Sequence, residues 1–414
     1  MRIIFTFLLV LFIVNVDAQR CGTTEYLQQN KFAFTFTAPP ATASGGRDTL
    51  PNEVITVPVI IHVLYNTSAE NISDQQILSQ LAVLNNDYRR LNADAVNTPA
   101  PFASVAADAR IVFCLAKIDT NGNYTSGIIR KYTSQTIFQA NDDMKFSSSG
   151  GDDGWNSQKY LNIWVCNLTA GTLGYALMPG GPANRDGVVI QYDAFGTIGN
   201  VSAPFDKART TTHEIGHWLG LRHTWGDALC GDDGIADTPP QQTYTTGCVS
   251  FPHTSSCSIN SYGDMFMNYM DFTNDACMNM FTHDQAIEMR SMFALGGYRN
   301  SFLNSSECSD SLLAQVGPNL PDSTETTTSA VTATNAVRIT VYPNPFSSQI
   351  FIGSNNPSEL AGATIRLYDI TGKLYKVQLL QSAKNSLSVG DLPSGIYFLK
   401  LEGGNNTQVF KLIK

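Results

Sequence analysis

A chain of 414 residues exceeds what one hydrophobic core usually serves, and 43% apolar with 15% charged residues is ordinary for folded protein, so two or three domains are expected. Lys and Arg total 26 against 35 Asp and Glu, and the resulting formal charge of -9 repels a phosphate backbone. Nucleic acid is therefore not an expected partner.

The first 18 residues, MRIIFTFLLVLFIVNVDA, carry one basic Arg2, an apolar run from Ile3 to Val14 and small residues up to Ala18. This is the pattern of a secretory signal peptide, and the run is shorter than the roughly 20 residues a spanning helix needs. The mature chain is expected to be exported, to the medium or the cell surface, with no transmembrane segment. Eight cysteines in an exported protein are disulfide candidates. Four of them, Cys230, Cys248, Cys257 and Cys277, crowd one segment and allow three pairings. Cys114 and Cys166 lie in strand-like runs, as buried thiols or in a cross-strand bridge.

Residues 19–51 are polar and punctuated by Pro and Gly, without the periodicity of a domain. From Glu53 the chain changes character. EVITVPVIIHVLYN reads as a strand, and SDQQILSQLAVLNNDYRRLN sets Ile77, Leu81, Leu84, Tyr88 and Leu91 at helical spacing behind a Ser73 and Gln76 capping box. Further strands are expected at ARIVFCLAKI, KYLNIWVCNL and GVVIQYDAF, a helix from near Asp206, and a last helix from Thr282 to Met292 with a Thr282 and Gln285 box. A helix, strands and then helices indicate an α+β domain over 52–305. A Ser/Thr-rich linker, 306–336, leads to short β-rich runs separated by turns at 337–414, read as a small all-β sandwich.

The chemistry concentrates in TTHEIGHWLGLRHTW. Positions four apart on a helix differ by about 40° around its axis, so His213 and His217 project from one face and can share a metal ion. His223 lies six residues on, which requires a turn that Gly220 can supply by left-handed geometry. Three neutral imidazoles with a fourth position open for water make a catalytic zinc site. Glu214, too far around the helix to ligate well, is expected to be the base that deprotonates zinc-bound water and returns the proton to a leaving amine. His62, His253 and His283 are off ligand spacing and are read as structural.

At these residues the chain resembles the metzincins, whose signature HExxHxxGxxH it matches at every fixed position. It is similar to the pappalysin or cytophagalysin family over residues 52 to 302, through IIHVLYN, LNIWVCNL, LGYALMP, CGDDGIADTPPQ and NYMDF. The resemblance implies a twisted mixed sheet with an active-site helix and an irregular C-terminal subdomain. It further implies a secreted zinc endopeptidase made as a latent zymogen. Met270 is implied as the methionine turn beneath the metal, and the disulfides Cys230 with Cys257 and Cys248 with Cys277 are implied as well. It places a structural calcium ion at Asp232, Asp233, Asp237 and Thr238. It marks Cys21, in RCGT, as the latent-state zinc ligand of a pro-segment cut near Arg47. The chain departs from the family at Phe272, where relatives often carry a tyrosine that helps stabilise the tetrahedral intermediate; Tyr269 is a candidate substitute. Relatives often favour a basic residue just after the scissile bond. YPNPF, LPSGIYFLKL and the basic tail resemble the C-terminal sorting domains of the type IX secretion system, whose machinery is thereby implied as a partner. The competing reading is a surface adhesion or binding protein with a catalytically weak metal site.

Overall fold

The computed structural model describes residues 20–30, 53–308 and, with short interruptions, 339–414. The signal peptide, the expected cut near Arg47 and most of the Ser/Thr-rich linker lie outside these residues. The chain divides into two compact units, residues 1–318 and 319–414. No helix among the described residues is long and apolar enough to cross a membrane.

The first unit opens with the helix α1 (Thr23–Gln29), followed by the strand β1 (Ile55–Tyr65). β1 is buried on both faces, which its nearly unbroken apolar run requires of a central parallel strand. Along one edge it pairs in parallel with β2 (Ile111–Leu115) and then with β3 (Ile128–Tyr132). Its other edge pairs with β4 (Leu161–Cys166), and β6 (Val188–Gln191) extends the parallel order. β5 (Gly174–Ala176), antiparallel to β6, closes the sheet at its far edge. The result is a mixed sheet within an α+β fold. β3 and β5 were not readable as strands: β3 carries Arg130 and Lys131 in its middle, and β5 is only three residues long.

α2 (Asp74–Asp87) starts at Ser73, whose hydroxyl accepts from the Gln76 amide at 3.2 Å. The reciprocal half of the expected capping box is missing. Gln76 Nε2 instead donates to the carbonyls of Tyr192 and Phe195, tying the helix to the turn after β6. Ile77, Leu81, Leu84 and Tyr88 are buried in the core with Val57, Val59, Ile61 and Val63 of β1. Leu91 is 67% exposed, because the helix has ended and Arg90 (φ +49) has turned the chain away. A single turn, α3 (Ala100–Ala103), precedes β2. α4 (Arg209–Trp218) packs against α2, β5 and β6, and α5 (His283–Ser291) opens with both halves of the Thr282 and Gln285 box in place.

Three disulfides join Cys114 to Cys308, Cys230 to Cys257 and Cys248 to Cys277. Cys166 is a free, buried thiol whose pKa burial pushes far up, so it is inert.

The second unit is two antiparallel sheets. β7 (Ile339–Tyr342), β8 (Gln349–Ser354) and β11 (Lys384–Ser388) form one, and β9 (Thr364–Asp369), β10 (Leu374–Leu379), β12 (Ile396–Gly403) and β13 (Asn406–Ile413) the other. Ile350 and Ile352 of the first sheet meet Ile365, Leu367, Leu399 and Leu401 of the second in one core. The period-two burial of these positions is what a sandwich demands.

Candidate metal centre

All ten residues of α4 are buried. Ala208 (φ +66) delays its start to Arg209, and Asp275 Oδ2 takes the amides of Lys207 and Arg209 at 2.9 and 3.1 Å, where a carboxylate also suits the helix dipole. The helix ends at Gly220 (φ +94) in a Schellman arrangement. The Leu221 amide donates to the Gly216 carbonyl and the Gly220 amide to that of His217. The turn brings His223 back to the helix.

The three imidazoles converge. His217 Nε2 lies 3.1 Å from His213 Nε2 and 3.0 Å from His223 Nε2. Each ring has its Nδ1 committed as a donor: His213 to the Tyr269 carbonyl (2.7 Å), His217 to the Leu221 carbonyl (2.8 Å) and His223 to Asp227 Oδ1 (2.6 Å). In the neutral rings the Nε2 atoms therefore carry lone pairs, and three lone pairs facing one another at this distance need a cation between them. Nitrogen ligands about 2.0–2.1 Å from a tetrahedral zinc sit about 3.3 Å apart, close to the spacing observed. Burial, followed by repulsion from the other two histidines, holds His213 far below its ordinary pKa, and burial brings His217 down to about 3. The donor set fits zinc. Asp227, which orients His223, went unnoticed in the sequence because nothing in its spacing distinguishes it.

Glu214 is fully buried beside this cluster, and burial pushes its pKa up to about 8 despite hydrogen bonds from Cys21 and Thr23. Cys21 Sγ lies 3.4 Å from Glu214 Oε2, which Thr23 Oγ1 also reaches at 3.0 Å. Cys21 and the three histidines place ligand atoms all within 4.8 Å of one another. The segment is fixed to the sheet edge by the Gly22 amide donating to the Gly174 carbonyl (2.9 Å) and the Ala176 amide donating to Thr23 Oγ1. Arg20, fully buried, donates to Asp275 Oδ1 and to the Thr273 carbonyl, both at 2.6 Å. Its partner lies 255 residues away and carried no sequence signal.

Gly174 makes room for the glutamate: a Cβ there would lie 3.0 Å from both Glu214 Cγ and the Val189 carbonyl. Gly174→Ala is expected to destabilise the first unit by about 1–3 kcal/mol, seen as a lower denaturation midpoint, and to slow peptide turnover. An unchanged midpoint with unchanged turnover would show that β5 yields without moving Glu214.

Asn268–Tyr269–Met270–Asp271 forms a tight turn beneath the helix. Asn268 Oδ1 accepts from the Met270 amide (2.9 Å), and Met270 is so close to α4 that a Cβ on Gly216 would sit 2.5 Å from its sulfur. Phe272 packs against His213 and His223, with ring centroids 5.7 and 4.8 Å away, and touches Trp225 and Tyr244. Tyr269 cannot substitute for a hydroxyl at Phe272. Its side chain is buried in the core and its phenol is held by Arg209 at 3.3 Å.

The acidic loop is hydrogen-bonded within itself. Asp232 Oδ1 accepts from the Gly234 amide, and Asp233 Oδ1 from the Ile235 amide and Thr238 Oγ1. Asp237 Oδ2 accepts from the Asp284 amide, and Asp237 groups with Asp284 and His283 rather than with Asp233. Asp233 Oδ2 and Asp237 Oδ1 are buried without a hydrogen-bond partner, and burial pushes the Asp233 pKa up to about 7. His62 bridges Asp152 and Asn162, and His253 contacts Asp264.

Comparison with known proteins agrees with this geometry. A family model described as pregnancy-associated plasma protein-A matches residues 146–294, and one described as secretion system C-terminal sorting domain matches residues 340–414. An extracellular metalloprotease of Arthroderma otae is 30% identical over 285 residues, covering 66% of this chain and 89% of the relative. Mature mirolysin of Tannerella forsythia, solved with a cleaved peptide, is 51% identical with a TM-score of 0.60, covering 65% of this chain and all of that one. A promirolysin mutant from the same organism is 53% identical with a TM-score of 0.60, covering 61% of this chain and 85% of that one. The protein is thus an extracellular metalloprotease, secreted or held at the cell surface. The chain belongs to the pappalysin family of metzincin metalloproteases and ends in a type IX secretion sorting domain.

Proposed function

We propose that the chain is a zinc endopeptidase in its latent form, with Glu214 as general base and Cys21 as the group that closes the site. The observation that carries this is the convergence of three imidazole lone pairs on one point, with a buried carboxylate and a thiol beside it. His213, His217 and His223 would hold zinc through Nε2, and Cys21 Sγ would complete the set until the pro-segment leaves. When bound, zinc supplies Lewis acidity, polarising a carbonyl and acidifying water. Glu214, released by Cys21 and Thr23, takes the proton of the attacking water and hands it to the departing amine.

The pro-segment also indicates what the cleft accepts. It donates from Gly22 to the Gly174 carbonyl of β5 as an added strand would, and it sets a guanidinium on Asp275. We read Asp275 as the acceptor for a basic side chain just after the scissile bond.

The acidic loop is read as a calcium site around Asp233, Thr238, Asp237 and Asp232. The buried oxygens without hydrogen-bond partners on Asp233 and on Asp237 support it, since each is an acceptor that a hard cation suits.

Metal removal tests both ions. Stripping with chelator is expected to abolish hydrolysis of a denatured protein by the processed chain, and zinc alone is expected to restore it. Cleavage by metal-free protein would reject the mechanism. Calcium added at about 100 times its dissociation constant stabilises by about 2.7 kcal/mol. The melting temperature of the stripped chain should therefore rise with calcium; no change would remove calcium from the account.

A further inference from the structure

The pro-segment helix α1 is held to the first unit by few side chains, and the deepest is Tyr26, which is fully buried. Its hydroxyl donates to Asp142 Oδ2 at 2.6 Å, and its ring lies against that of Tyr175 with centroids 4.7 Å apart. Lys145 Nζ stands 5.4 Å from the Tyr26 ring centroid and 2.8 Å from Asp142 Oδ1, which also accepts from the Tyr175 hydroxyl at 3.1 Å. Arg185 Nη1 reaches Asp142 Oδ2 at 3.4 Å. Leu27 packs at the margin of the same cluster and Asn30 accepts from Arg185, but the groups that meet the Tyr26 ring and hydroxyl, Asp142, Lys145 and Tyr175, come from the body of the unit, and Tyr175 belongs to β5, whose Gly174 carbonyl accepts from Gly22.

We infer that this pocket becomes a substrate subsite once the pro-segment has left, on the side of the metal centre that precedes the scissile bond, and that it selects tyrosine over phenylalanine. The inference rests on the endopeptidase reading and on Arg20 marking the opposite side, since Cys21 lies between Arg20 and Tyr26. Departure of Tyr26 takes from the buried Asp142 Oδ2 its shortest hydrogen bond, leaving a slot shaped for a ring with an acceptor at its end. A phenol refills both; a phenyl ring fills the slot and leaves the oxygen only its long Arg185 contact at 3.4 Å.

The arrangement is costly for mere structure. Asp142 and Lys145 are both completely buried, and a buried ion pair contributes little to stability once its desolvation is counted. The five steps from Cys21 to Tyr26, mostly helical at about 1.5 Å each, span about 8 Å, which an extended substrate covers in two or three residues. The tyrosine should therefore stand at the second or third position before the cleaved bond.

The test uses the full chain after release of its pro-segment, with peptides carrying Arg after the scissile bond and Tyr, Phe or Ala at each of the four preceding positions. At the second or third position kcat/KM for Tyr is expected to exceed that for Phe by about tenfold or more. Asp142→Asn should bring the Tyr-to-Phe ratio toward one, and because both peptides are compared within one protein, a general loss of activity cancels. Equal cleavage of the Tyr and Phe peptides by the unmodified chain overturns the subsite and leaves the endopeptidase reading standing. No cleavage of any peptide, or equal cleavage by a Glu214→Gln chain, overturns the endopeptidase reading and the subsite with it.

Discussion

Glu214→Gln is expected to lower peptide turnover by about 10²–10⁴-fold, the usual contribution of a positioned general base, while the chain keeps its zinc. Glu214 is not among the converging ligand atoms; the metal group comprises Cys21, His213, His217 and His223. The amide is nearly isosteric, so the space left by Gly174 still accommodates it. Folding should not suffer either: burial already opposes ionisation of Glu214, raising its pKa to about 8, so replacing the acid by a neutral amide removes a group that the interior disfavours charged. The measurements are metal content by elemental analysis and kcat on a fixed peptide, both on processed chain. Full turnover with zinc bound would remove Glu214 from the mechanism. Loss of zinc together with turnover would make it a structural residue of the site.

The zinc helix was legible in the sequence because its constraint is local. Two histidines four apart share a helix face wherever that helix sits, and Gly220 must break the helix if His223 is to return. The apolar run of β1 was legible for a similar reason, since only a strand covered on both faces tolerates it. What escaped was set by distance or brevity. β5 is three residues long, yet it carries the glycine that admits Glu214 and the carbonyl that accepts from the Gly22 amide. Cys114 pairs with Cys308, 194 residues away, and spacing cannot announce such a partner. The same holds for Arg20 and Asp275, and for Tyr26 and Asp142, which hold residues 20–30 against the first unit. Asp275 is shared: one oxygen holds Arg20 while the other receives the amides of Lys207 and Arg209 where α4 begins. The helix that presents the histidines and the N-terminal segment beside them are thus anchored on one carboxylate.

Cys21→Ala is expected to give an unprocessed chain that cleaves a small peptide at least about tenfold faster than the unprocessed parent. On the proposed reading the thiol would be this segment's claim on the metal, because a thiolate binds zinc tightly and fills the position that water needs. Without zinc nearby, burial and then the neighbouring Glu214 charge push the Cys21 pKa well above its usual value, so the metal is what would make a thiolate tenable there. Alanine removes the ligand but leaves Arg20 on Asp275 and Tyr26 on Asp142. The segment therefore stays tethered and competes with substrate as an intramolecular inhibitor, which is why activation should be partial for a short peptide and smaller for a protein that needs the whole cleft. Arg20→Ala in the same chain should raise activity further, since breaking a buried ion pair typically costs 3–5 kcal/mol of the interaction that holds the segment down. The measurement is initial rate on both substrates, with mass spectrometry confirming an intact N-terminal segment. If the intact Cys21→Ala chain binds zinc and is as silent as the parent, latency rests on occlusion by α1 and the Arg20 anchor, and the thiol is not its cause.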